Sequence, residues 1–99
     1  MAITDADRAA IRDDLGDFGD EYADYVTTAW PPVEAEVRRR AGNGVPETVW
    51  RAACRQMILY GFRLAIDTPA SRSVWRASGA AAMCAPFIVR RAPAVEAET

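Results

Sequence analysis

The sequence predicts an all-α protein, a small bundle of three to four helices with an extended C-terminal tail, and three stretches carry that expectation. Residues 46–67, PETVWRAACRQMILYGFRLAID, set Val49, Trp50, Ala53, Cys54, Met57, Ile58, Gly61, Leu64 and Ala65 at steps of three and four, which draws one broad apolar face on a helix. Residues 20–41 repeat the pattern with Tyr22, Tyr25, Val26, Ala29, Trp30, Val33 and Val37. After Pro86, FIVRR is apolar and β-branched with no partner strand in the chain, and APAVEAET behind it is too polar to pack.

The 99 residues make one domain, with the helical part at 1–86 and the tail at 87–99. A chain of this size buries roughly two-thirds of its unfolded surface, enough for one small core. No apolar run approaches the roughly 20 residues of a bilayer span, so no membrane partner is expected. The start, MAITDADRAAIRDD, is charged where a signal peptide is apolar, so the chain reads as cytosolic. Cys54 and Cys84 lie among apolar neighbours at helical positions and read as small buried residues rather than a disulfide.

In chain order, Thr4 is placed to cap a first helix over about residues 5–14, and Asp7 stands where a capping box has its reciprocal member. Ile3, Ile11 and Leu15 are the few apolar contacts of this weak helix, and LGDFGDE ends it. The second helix, about residues 20–41, meets Pro31-Pro32 without losing apolar phase. Each internal proline costs about 3 kcal/mol or more, so the pair predicts a kink, or a break with the prolines in a restarted first turn. Arg38, Arg39 and Arg40 suit the negative end of this helix, and Gly42-Asn43-Gly44 supplies left-handed conformations for the exit.

The central helix then starts at Pro46-Glu47, with Glu47 and Arg51 paired four residues apart, and runs to the stop at Thr68-Pro69. Its second half carries Leu59, Phe62 and Ile66 on the face opposite the main stripe, which calls for cover on two sides, the second supplied by another molecule. Residues 69–73 read as a loop, with Val74 and Trp75 anchoring it to the core. Ser78 caps a last short helix, GAAAMCA, whose small residues permit close approach to another backbone and which Pro86 closes.

Charge is unevenly distributed. Residues 1–36 hold seven Asp and three Glu against two Arg, a net −8, and residues 37–99 hold ten Arg against four acids, a net +6. Such a chain can steer a charged partner or meet its own copies acidic side to basic side. All the basic residues are Arg. The acids at 13–24 lack the register of a calcium loop, and no metal or other cofactor is expected. With no His, no nucleophile elbow, no phosphate loop and no zinc spacing of Cys, the pattern argues against an enzyme. Arg38, Arg39, Arg40, Arg51 and Arg55 could form a basic face, but the helix after them is the apolar central one, which argues against site-specific DNA binding.

The order of parts, an acidic entry into a long helix ending VEAEVRRRAG, then VPETVWRAACRQMILYGFR, then SGAAAMCAPFIVRR, resembles the head-tail connector (adaptor, head-completion) proteins of tailed bacteriophages and gene-transfer particles. The resemblance covers about residues 20–91. Two departures are Pro31-Pro32 in the long helix and Gly61-Phe62 where the family often has a His followed by an aromatic.

The resemblance implies a structural protein of the virion neck, made in the host cytoplasm, that forms a homo-oligomeric ring, commonly of twelve subunits. The ring sits beneath the portal protein and joins it to the tail or next neck protein, with DNA passing through its centre without specific binding. By position, Phe87, Ile88, Val89, Arg90 and Arg91 match the portal-docking segment. Arg38, Arg39, Arg40, Leu59, Phe62 and Ile66 become candidates for contacts between subunits, and Asp13, Asp14, Asp17 and Asp20 for the channel lining. The alternative is a small acidic helical inhibitor of a host protein that imitates nucleic acid with its N-terminal third; such a protein has no need of the FIVRR tail.

Overall fold

The computed structural model describes residues 3–15 and 19–88, with side chains for 3–11 and 24–88. Five helices follow one another: α1 (Asp5–Leu15), α2 (Gly19–Ala41), α3 (Glu47–Arg63), α4 (Arg72–Ala77) and α5 (Ala80–Cys84), with a 3-10 turn at Ala85–Phe87. There is no strand among the described residues. The protein is all-α, and α3 is its centre, packed by α1, α2, α4 and α5.

Helix α1 begins with the capping box legible in the sequence. The Asp7 amide donates to Thr4 Oγ1 at 3.2 Å, and Asp7 Oδ2 accepts from the Thr4 amide at 3.2 Å and its hydroxyl at 3.0 Å. Ile11 is fully buried and Ile3 packs on the core beside it.

Helix α2 runs unbroken through Pro31-Pro32. Both prolines are exposed, as are Thr27 and Thr28, whose carbonyls lose their usual donors, so water can take up the freed acceptors. On the other side Val26, Trp30, Val33 and Val37 are all at most 1 % exposed, which keeps the apolar stripe in phase across the prolines. The exit uses one left-handed residue, Gly42 at φ +73°, whose amide donates to Arg38 O at 3.0 Å; Asn43 and Gly44 do not take that conformation. Pro46 then caps α3 with its carbonyl, which accepts from the Val49 and Trp50 amides at 3.0 Å each.

Helix α3 is shorter than its apolar pattern predicts. It stops at Arg63, four residues before Asp67, in a Schellman closure: the Ile66 amide donates to Gly61 O at 2.8 Å and the Ala65 amide to Phe62 O at 3.2 Å, with Ala65 left-handed at φ +54°. Leu64 and Ala65 therefore leave the buried face, and Leu64 is 57 % exposed. Holding this turn is Tyr25 on α2, whose hydroxyl donates to Ile66 O at 2.7 Å. The ring passes so close to Gly61 that a Cβ there would lie 2.2 Å from Tyr25 Oη and 2.8 Å from Pro69 Cβ. Gly61 is the residue that permits this crossing.

The stretch expected to be a loop contains α4. Ser71 caps it, accepting from the Val74 amide at 3.2 Å, and Val74 and Trp75 reach the core as anticipated. Gly79, at φ +89°, turns the chain into α5, with Ser78 Oγ accepting from the Ala80 amide at 3.3 Å. Ala80 and Cys84 are fully buried, so the small side chains bring α5 against α3 as expected. Pro86 does not close this segment: it lies inside the 3-10 turn, which ends at Phe87. Helical structure thus continues past the expected boundary at 86, to Phe87, and Ile88 is the first residue after it with extended backbone.

Candidate functional site

Of the segment expected to dock on a portal, Phe87 and Ile88 are described, and Val89, Arg90 and Arg91 lie outside the described residues. Phe87 ends the 3-10 turn with 39 % of its surface exposed, and Ile88 has extended backbone (φ −79°, ψ 122°) while its side chain packs on the core. The bundle therefore holds the first extended residue of the segment and presents an aromatic ring beside it.

The candidate subunit contacts fall into two sets. Arg38, Arg39 and Arg40 close α2, where they complement its dipole. Arg39 and Arg40 both reach Glu36, and Arg38 lies 3.6 Å from Glu34 and 5.1 Å from the Trp50 ring centroid. Arg51 approaches the same ring at 4.9 Å, so Trp50 carries two guanidinium groups. Burial raises the Glu36 carboxyl, but the hydrogen bonds and charges of Arg39 and Arg40 outweigh it and hold the group below the usual range. Arg39 keeps two-thirds of its side chain exposed and Arg38 about half, so this end of the bundle still presents positive charge.

In the second set, Leu59 is 3 % exposed and Phe62 and Ile66 are partly buried on the core. The cover that the pattern assigned to another molecule comes, for Leu59, from the chain itself, since it is buried within the single chain. Phe62 meets Tyr25 edge to face, with centroids 5.5 Å apart. Asp17 lies outside the described residues; Asp13 and Asp14 fall in α1 and Asp20 in α2, and no side-chain geometry is described for them.

The strongest polar constellation was not expected from the sequence. Asp7, only 2 % exposed, takes Arg51 Nη1 on Oδ2 at 2.8 Å and Arg55 Nη1 on Oδ1 at 2.7 Å. Arg51 also holds Glu47 at 2.8 Å, the pair anticipated within α3. Burial alone would raise the Asp7 carboxyl, but the Thr4 hydrogen bonds and the two arginines bring it below its ordinary value. Two arginines of the expected basic face are thus spent inside the fold, clamping α1 to α3. The capping signal at Thr4 and Asp7 was legible, whereas the partners 44 and 48 residues away were not.

Two surface concavities lie among the described residues. One, of about 180 Å³, is lined by Gln56, Leu59, Tyr60, Arg63, Leu64 and Ser78. The other, of about 340 Å³, is lined by Tyr25, Phe62, Ala65 and Asp67. Among the described residues no group of three or more His, Cys, Asp or Glu could hold a metal ion, and no helix is long and apolar enough to cross a membrane. The chain matches no family model, no curated protein and no solved structure.

Proposed function

We propose that this chain is a neck protein of a tailed-phage-type particle, a connector subunit that assembles as a ring beneath the portal and docks on it through the segment beginning at Phe87. The observation that supports the reading is the way the chain leaves its helical body. Ile88 is fixed to the core yet extended, and Phe87 stands exposed next to it, so whatever strand the following residues add to a partner sheet starts from a rigid base. An inhibitor working through its acidic third would not require this exit, and one acid of that third, Asp7, is buried in the α1 clamp.

The test is to mix the purified protein with portal rings from the same genome and image the mixture by negative-stain electron microscopy. The control lacks residues 89–99; it retains Ile88, which packs on the core, so the bundle stays intact. The expected result is an added layer on the portal that is lost with the truncation. Bare portals at saturating protein would sink the connector reading and direct attention to host partners of the acidic third.

A further inference from the structure

The concavity of about 340 Å³ beside the α3 closure has an unusual wall. Tyr25 and Phe62 meet with interplanar angle 72°, and the Tyr25 hydroxyl is bound to Ile66 O, which fixes that ring. Asp67 is exposed at the rim, and it makes no ion pair among the described residues. Its charge is nonetheless felt inside: burial first, and then the Asp67 carboxylate, push the Tyr25 phenol up to about 12. A concavity lined by two aromatic side chains and a carboxylate suits a weakly hydrated planar cation, which aromatic rings and carboxylates both attract.

The matching group is present on the same chain. Arg38, Arg39, Arg40, Arg51 and Arg55 are all engaged by acids of α1, α2 or α3. Arg72 and Arg76, one helical turn apart on α4, are exposed and make no ion pair among the described residues. Neither one pairs with Asp67 within its own chain. An unsatisfied acid in an aromatic recess and two unsatisfied guanidinium groups on another element are complementary surfaces of one molecule.

We propose that the Tyr25, Phe62 and Asp67 recess receives the guanidinium of Arg72 or Arg76 from a second copy of this chain, in a head-to-tail contact. Each copy then gives one surface and receives on another. The contact gives the ring of the proposed function one of its subunit seams and rests on that reading; it does not involve the segment after Ile88, so portal docking and this contact can fail separately.

Two variants separate the surfaces: Asp67→Arg blocks the recess and leaves α4 intact, and the double change Arg72→Gln with Arg76→Gln removes the donors and leaves the recess intact. All three positions are exposed, and circular dichroism with thermal melting checks the fold. Sedimentation velocity at low salt, up to about 1 mM subunit, reads association in the range of weak contacts. The wild-type chain is expected to associate, less so at high salt. Each variant alone stays monomeric, and their equimolar mixture forms a heterodimer and stops there, because it contains one functional pair of surfaces. Asp67→Asn is expected to weaken wild-type association about three- to tenfold. A wild-type chain that is monomeric throughout, a variant that associates like the wild type, or a mixture that stays monomeric overturns the proposal. If either variant fails to fold, the Asp67→Asn series decides, and an unchanged association constant overturns it.

Discussion

Helix α1 and the pair α4 and α5 grip the central helix in different ways. Among the described residues α1 buries Ile11 fully, with Ile3 just before it buried in part, and it is fastened by the charges of Asp7, Arg51 and Arg55. The C-terminal pair has no ion pair to α3 among the described residues and holds it with Val74, Trp75, Ala80 and Cys84, each at most 7 % exposed. The difference teaches that a poorly apolar helix can be docked by a buried carboxylate with enough donors, while two very short helices can be docked by small side chains and one indole. The first attachment responds to pH, and the second to volume.

The largest expected effect breaks the apolar side. Trp75→Ala removes a buried indole and is expected to cost about 4 kcal/mol, read by urea denaturation, with little dependence on pH between 3 and 7. A loss under about 1 kcal/mol would mean that α4 is not held through this residue. On the charged side, Asp7→Ala leaves Arg55 without its acid and Arg51 with Glu47 alone, and it removes the side-chain half of the capping box, for about 3 kcal/mol at neutral pH. Its pH signature sharpens the contrast. The folded carboxyl lies below its ordinary value near 3.8, so its contribution is complete above that value and is lost as pH falls through the folded pKa. The acid limb of the wild-type stability curve should therefore be steeper than that of Asp7→Ala, and parallel limbs would refute the clamp.

Smaller effects lie at the α3 closure, between the two grips. Tyr25→Phe leaves the Ile66 carbonyl without its donor and is expected to cost about 1 to 2 kcal/mol. The wild-type phenol, raised from 10 to about 12, keeps its contribution below pH 10 and loses it as pH rises towards 12. Absorbance at 295 nm should show one late-titrating tyrosine that the variant lacks. Ala65→Gly relieves a left-handed alanine and is expected to stabilise by about 0.5 to 1 kcal/mol in the same denaturation assay. The smallest change, Arg39→Ala on an exposed pair with Glu36, should move the midpoint by no more than about 0.5 kcal/mol.

What was legible in the sequence was local. The stripes of α2 and α3 follow from a period of 3.6, the Thr4 and Asp7 box from a spacing of three, and the exit of α2 from Arg38, Arg39 and Arg40 followed by Gly42. Helix α4 was missed because six residues are too few to display a period; Ser71 three places before Val74 was the available signal. The end of α3 was missed because Leu64 and Ile66 continue an apolar pattern that the backbone abandons for a bond to Tyr25, 41 residues earlier. Of the candidate sites, the exposure of Phe87 and the burial of Leu59 are set by tertiary packing, which no spacing records.

Cys54 and Cys84 supply a clock for motion. Both are fully buried and neither is in a disulfide. Burial, with the Glu34 and Asp7 carboxylates adding to it, pushes the Cys54 thiol up to about 12, and burial raises Cys84 as well. Alkylation needs an accessible thiolate, so at neutral pH each cysteine reacts only while its surroundings are open. Cys84 sits on the last helix and Cys54 in the middle of the central one. Equal labelling rates mean that the bundle opens as one unit, and faster labelling of Cys84 means that the C-terminal helix peels away first, carrying the base of Ile88 with it.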